Sequence, residues 1–269
     1  AGLSPPHPTV GDLMLGLGLG RWVILRNVTS FRRGWLVFIS GFFEPVFYLL
    51  SIGVGLGALV RTVTMDNGSV VPYADFVAPA MLATAAMNGA IADVTFNVFF
   101  KLRYARIYDT MLATPATPRD IAAGEVTWAL IRGGIYSTGF IVVAAVMGFV
   151  HSWWAVLALP AALLIGAAFA GIGMYATTYL TSWQQFDLIF LVVQPLFLFS
   201  ATFFPMSFYP EGLRWVVQAL PLYHAVTLER GLLLGEVGPA LLGHAAYLVV
   251  LAVVGMIGAG RRVGHLLLT

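Results

Sequence analysis

Cysteine is absent from this 269-residue chain, and lysine occurs once, at Lys101. Without cysteine there is no disulfide framework and no thiolate metal site. The lone lysine lies between Phe100 and Leu102. A phosphate-binding P-loop needs a lysine that follows glycine and precedes Ser or Thr, so the chain has no Walker site of its own for ATP hydrolysis. The glycine cluster GLGLG at 16–20 lacks the strand–turn–helix setting of a nucleotide fingerprint. Charge is scarce too. Charged residues make up 10% of the chain and hydrophobic residues 59%, against roughly 25% charged in an ordinary soluble domain. So few charges cannot cover a globule in water, and a bilayer supplies the missing nonaqueous surroundings. Arg21 and Arg26 interrupt the first apolar stretch and no cleavage pattern follows it, so no signal peptide is expected.

Catalytic signatures are equally sparse. His7, His151, His224, His244 and His265 are scattered, with no HExxH or other close ligand spacing, and no GxSxG elbow is present. No catalytic residue and no metal site is therefore assigned.

What the sequence does contain is long apolar runs. Crossing a bilayer takes about 20 predominantly apolar helical residues, and six runs qualify, at 35–60, 76–100, 126–149, 153–180, 188–205 and 240–260. An even number puts both termini on one side, and the basic residues select that side. Arg21, Arg26, Arg32, Arg33, Lys101, Arg103, Arg106, Arg119, Arg132, Arg261 and Arg262 fall together, against Arg61, Arg214 and Arg230 opposite. The expected orientation has both termini in the cytoplasm. The expected fold is an all-α membrane protein. It comprises an N-terminal tail and interface helix over 1–34, a six-helix domain over 35–260 and a tail over 261–269.

Three regions depart from simple spanning. Residues 10–31 put Val10, Leu13, Met14, Leu17, Ile24, Leu25, Val28 and Phe31 on one helical stripe, which suggests an amphipathic helix lying in the membrane interface. Span five carries Pro195 midway, which breaks its hydrogen-bond ladder. The stretch 206–239 is apolar but broken by Pro210, Pro221 and Pro239 and by charges. Its pieces at 211–220 and 222–235 are too short to cross and read as re-entrant helices, allowed only where protein buries the turn.

One dense polar passage interrupts the apolar runs: KLRYARIYDTMLATPATPRDIAAGE, residues 101–125. Its middle, 105–114, predicts a short helix with Tyr108, Met111 and Leu112 on one face and Arg106 and Asp109 near by. The helix ends at Thr114-Pro115 and Thr117-Pro118, and the chain then climbs back through Asp120 and Glu125. Apolar groups offered on a short charged helix read either as a docking knob or as a solvated interfacial helix. Within the spans the acids are Glu44, before Pro45, and Asp93, four residues before Asn97. Acids in lipid are functional by default. Their alternative role is interhelical hydrogen bonding. Span five sets Gln194, Ser200 and Thr202 among Phe190, Phe197, Phe199, Phe203 and Phe204. That composition suits a lining for a large amphipathic cargo, or simply rings packed in the bundle.

The run YADFVAPAMLATAAMNGAIADVTFNVFFKLRYARIYDTMLATPATPRDIAAGE at 73–125 and the run PLFLFSATFFPMSFYPEGLRWVVQALPLYHAVTLERGLLLG at 195–235 resemble the ABC-2 type permease family. The likeness is greatest to its NodJ-like branch, named for a lipo-oligosaccharide exporter, and looser to daunorubicin-type drug exporter permeases. It extends over about residues 20–260, and its most specific elements are Phe204-Pro205 and the pattern from Leu220 to His224.

The resemblance implies six membrane helices, an amphipathic N-terminal interface helix, a coupling helix between spans two and three, and re-entrant helices between spans five and six. The coupling helix would comprise Arg106, Ile107, Tyr108, Asp109, Met111 and Leu112 and sit in a groove of a separate ABC ATPase subunit. Two such ATPases would serve two permease chains, identical or homologous, paired around the path. Candidates for that path are Glu44, Asp93, Asn97, Gln194, Phe197 and Thr202. No cofactor is expected in this chain, with ATP and Mg on the partner ATPase. The implied activity is ATP-driven export of a lipid-like, glycolipid or lipo-oligosaccharide, or hydrophobic drug cargo across the inner membrane. A proton-coupled secondary transporter using Glu44 or Asp93 is the rival reading. It predicts an internal inverted repeat, and none is visible. A membrane-embedded enzyme or a scaffold is the third.

Overall fold

The computed structural model describes residues 19–31, 43 and 46–268. Glu44, Pro45, Arg32, Arg33 and the first half of the expected interface helix lie outside the described residues. In chain order, α1 spans Gly20–Phe31, and α2 covers Val46–Val60 with π-helical winding over Leu49–Leu56. A hairpin of β1 (Thr62–Thr64) and β2 (Val70–Pro72) leads into α3 (Tyr73–Tyr104). Then come α4 (Ile107–Leu112), α5 (Pro118–Val146), α6 (Ala158–Thr177) and α7 (Phe186–Phe199). Two short helices, α8 (Glu211–Ala219) and α9 (Pro221–Leu234), precede α10 (Pro239–Leu268).

Four helical stretches among the described residues, Tyr73–Tyr104, Pro118–Val146, Trp153–Thr177 and Pro239–Leu267, are long and apolar enough to cross a membrane. Val46–Val60 and Trp183–Phe199 are apolar but shorter. They correspond to the expected first and fifth spans.

The packing is helix on helix, with α3 at the centre. Phe76, Val77, Met81, Leu82 and Met87 of α3 are fully buried, as are Ile165 and Met174 of α6. The outward counterpart is visible on α10, where Val250, Val253 and Val254 stay exposed. Glycine sets the closest crossings. A Cβ on Gly255 of α10 would lie 2.7 Å from the backbone of Gly171 in α6, and one on Gly124 of α5 would lie 2.8 Å from the Gly20 carbonyl of α1. Backbone-to-backbone approach of this kind is how membrane helices gain dispersion contact without a hydrophobic driving force between them.

Several expected boundaries moved. The third span begins at Pro118, so Asp120 and Glu125 are helical and the link from α3 is short. The reason is local: Thr117 accepts from the Asp120 amide at 3.2 Å while Asp120 accepts from the Thr117 amide at 2.9 Å, a capping box with Pro118 at the first helical position. Arg132, grouped above with the basic residues of the cytoplasmic side, consequently sits in the middle of a 29-residue helix. α10 runs to Leu268, which carries Arg261 and Arg262 inside the helix. α7 ends at Phe199 because Ala201 takes the left-handed conformation, φ 54°. The two short helices after it fall where the prolines place them.

The β1–β2 hairpin was not anticipated. Its turn is Asp66-Asn67-Gly68 with Gly68 at φ 86°, a strong hairpin signal. The turn fastens its end of the bundle. Asp66 accepts from the amides of Met206 and Ser207 at 3.2 and 3.0 Å. Asn67 donates to Glu236 at 2.6 Å.

Candidate functional site

Two sites emerge, one at the end of α3 and one within the bundle. At the first, Glu125 is buried and its carboxylate gathers three elements. Lys101, at the end of α3, donates to both oxygens at 2.8 and 2.7 Å. Asn27 of α1 donates at 3.0 Å, and Tyr108 of α4 at 3.1 Å. Lys101 also donates to the side-chain oxygen Oδ1 of Asn27 at 3.0 Å, so the node is closed on itself. A buried ion pair needs such extra hydrogen bonds to offset its desolvation. Burial, and the negative charge of Glu125, push the Tyr108 hydroxyl well above its ordinary value, so it remains a donor at all physiological pH.

This geometry corrects the expected orientation of α4. Tyr108 is 1% exposed, and Met111 and Leu112 pack on the same core, so this apolar face is turned into the protein. The face left to the surroundings carries Arg106, Asp109, Thr110, Ala113 and Thr114, with Ile107 half-buried beside it. The reason is polar as much as apolar: the phenol donates to a carboxylate inside the bundle. Arg106 itself adopts a left-handed conformation (φ 46°) that turns the chain out of α3.

The second site is a lateral cavity of about 350 Å³ bounded by α2, α3, α5 and α7. Its apolar wall is aromatic: Tyr48, Phe96, Phe186, Phe190 and Phe197. Phe96 stacks on Phe186 with centroids 4.6 Å apart, and Phe197 meets Tyr48 edge-on at 5.9 Å. Asn88, Gln194 and Tyr136 supply polar groups, and Arg132 projects from α5. Arg132 donates through Nη1 to Asp93 Oδ1 at 2.6 Å and through Nε to the Tyr136 hydroxyl at 3.3 Å. Asn97 donates to the same Asp93 oxygen. Asp93 begins a π-helical turn over Asp93–Asn97, a winding frequently found at functional positions.

Of the candidate path residues, Gln194 and Phe197 line the cavity, while Asp93 and Asn97 stand behind Arg132. Thr202 lies beyond the end of α7, fully buried in the following turn and away from the cavity lining. The residues missed were Arg132, Tyr136, Glu125, Lys101 as a structural cation, and Asn27. A buried Asp93 called for a cation on a neighbouring helix, and correct placement of the α5 start would have singled out Arg132. Among the described residues, no group of three or more His, Asp or Glu side chains is placed to hold a metal ion.

Long apolar helices around an internal ion pair, with a polar-tethered short helix at one end, define an integral membrane protein. Its class follows from comparison with known proteins. The ABC-2 type transporter family matches residues 19–234, and the chain belongs to that family. It is similar to Nodulation protein J of Rhizobium leguminosarum bv. viciae, with 35% identity over 84% of this chain and 87% of that protein. Nodulation protein J of Sinorhizobium fredii is 34% identical over 86% of this chain and 88% of its own length. The Rhizobium meliloti protein of the same name is 33% identical over 80% and 82%.

Proposed function

We propose that this chain is the permease subunit of an ATP-driven exporter. It carries an amphipathic cargo (lipid-like, glycolipid or lipo-oligosaccharide, or a hydrophobic drug) outward across the inner membrane. Six spans make up the transmembrane domain, α2 and α7 being the first and fifth. α1 lies in the cytoplasmic interface, and α8 and α9 form the re-entrant pair on the outer side. The N- and C-terminal segments are cytoplasmic. Two ABC ATPase subunits hold and hydrolyse ATP with Mg, and a second permease chain, identical or homologous, completes the path.

The observation that carries this reading is the placement of α4. It is a short helix between two spans, with Arg106, Asp109 and Thr110 exposed and with its inner face tied through Tyr108 to the Glu125 node. That node joins α1, α3 and α5, so a push on α4 reaches three membrane elements through one carboxylate. ATP acts by differential affinity: nucleotide favours the ATPase arrangement that holds α4 in one of two positions, and a ligand shifts an equilibrium only to that extent. Against proton coupling stands the fact that Asp93 is already occupied by Arg132 and Asn97.

The test is isolation of the tagged chain from native membranes in mild detergent. An ATPase subunit should co-elute and hydrolyse ATP. Recovery of the chain alone, with transport into vesicles driven by a proton gradient, would overturn the reading.

A further inference from the structure

At the α4 end of the bundle, α5 begins where α10 finishes. A Cβ on Gly264 of α10 would lie 3.8 Å from the Pro118 side chain, and one on Gly260 would lie 4.0 Å from Arg119 Cγ. Having no side chain, Gly260 leaves the stem of Arg119 room to lie along α10. Beside this crossing, α5, α6 and α10 border a cavity of about 430 Å³. Arg119 and Arg261 line it from two different helices, and both are exposed. Neither forms an ion pair among the described residues. Asp120, next to Arg119 in sequence, is committed to the Thr117 cap. Arg262, next to Arg261, lies over the Tyr179 ring at 4.7 Å. The rest of the lining is largely apolar, with Val126, Met174, Met256 and Ile257. Val126 stands seven residues further into α5 than Arg119, about 10 Å deeper, and Met256 lies about 7 Å deeper than Arg261. A cationic mouth thus gives way to an apolar trough in the direction of the bundle's middle.

We propose that this cavity binds one anionic phospholipid of the adjoining leaflet. Arg119 and Arg261 hold its phosphate, and its acyl chain lies along Val126, Met256 and Ile257. A guanidinium suits the phosphate because its N–H groups can meet two oxygens at once. A zwitterionic lipid would bring its own ammonium to a mouth that already holds two unpaired cations. Free phosphate would leave the apolar trough bare. Basic pockets between membrane helices take anionic headgroups on the same grounds. The cavity shares no lining residue with the aromatic one between α2, α3, α5 and α7, so this site stands or falls separately from the transport reading.

The test uses the full chain in mild detergent with pyrene-labelled phosphatidylglycerol or phosphatidylcholine, read by energy transfer from tryptophan. Phosphatidylglycerol should bind about tenfold or more tighter, as two arginines near one phosphate allow. Arg119→Gln and Arg261→Gln should each lower that preference severalfold, and the double variant should remove it. Both side chains are exposed, so melting temperatures should stay unchanged. On the unaltered chain, millimolar inorganic phosphate or glycerophosphoglycerol, the headgroup without acyl chains, should fail to displace the lipid. That competition carries the test even if a variant fails to fold. Displacement by either soluble anion overturns the proposal, because the apolar trough then contributes nothing. Equal binding of the two lipids, or a preference intact in the double variant, overturns it as well. Loss of ATPase co-purification in a double variant that keeps its lipid preference would assign the two arginines to a protein partner instead.

Discussion

The Tyr108 hydroxyl donates to Glu125 at 3.1 Å, joining a six-residue helix between two spans to the inside of the bundle. α4 is held from within. Tyr108→Phe keeps the ring and loses one hydrogen bond, so it should cost about 0.5–1.5 kcal/mol. Glu125→Ala strands Lys101 in a buried setting and should cost about 3–5 kcal/mol. Thermal melting of the detergent-solubilised chain separates the two. Equal melting temperatures would show that the node does not hold α4.

Association with the ATPase should instead follow the outward face. Reversing the charges with Arg106→Glu and Asp109→Lys should abolish co-purification of the ATPase at an unchanged melting temperature, since both side chains are exposed. Surface substitutions of this kind usually stay within about 0.5 kcal/mol. Retained co-purification would put the docking surface elsewhere on the chain.

How much of this could be read from residues alone depends on where a charge sits relative to a helix start. The apolar runs announce their own helices, and the prolines of 206–239 mark the two short ones. The existence of a helix at 107–112 was legible from the Thr-Pro stops beyond it. Its orientation was not, because Tyr108, Met111 and Leu112 form an apolar face that fits a partner's groove and the protein's own core equally well. Only the partner Glu125, seventeen residues on, decides between them. Arg132 was obscured by an error of eight residues in one boundary: the span was started at 126, although Thr117 and Asp120 form a capping box with Pro118 between them. The hairpin was overlooked because hydropathy passes over short polar segments, even though Asp66-Asn67-Gly68 is a clear turn.

The start of α5 carries its own test. Thr117→Ala removes the cap that fixes where the helix begins and should cost about 1 kcal/mol. Because Glu125 is two turns further on, the same change should speed amide exchange over the first turn of α5 while leaving exchange around Tyr136 unchanged. Uniform exchange along the helix in both chains would show the cap to be dispensable.

Close approach of α6 and α10 predicts a steep size limit. Gly255→Leu places side-chain atoms where the Gly171 backbone already stands 2.7 Å from a bare Cβ. Two backbones cannot yield as a flexible side chain can, so overpacking should cost at least the usual 1–3 kcal/mol. Size-exclusion chromatography should show loss of the monodisperse peak. Gly258→Ala faces the ring of Tyr175 at 3.2 Å and should be tolerated.

Outside the long spans, His224 offers a pH handle. Its Nδ1 lies 2.7 Å from that of His244, and its ring stacks on Tyr247 at 3.9 Å. Burial lowers its affinity for a proton. A histidine that resists protonation when folded leaves stability unchanged above its ordinary value of about 6.5 and erodes it as pH falls below that value. Melting temperatures between pH 7.5 and 5 should therefore fall more steeply for the unaltered chain than for His224→Gln.

Lodging Asp93 with Arg132 and Lys101 with Glu125 has an electrical outcome. When such a couple travels together, no elementary charge is displaced through the field, and a 100 mV potential, worth about 2.3 kcal/mol on a lone charge, has nothing to pull. Neither couple then adds voltage dependence to a movement that both of its members share.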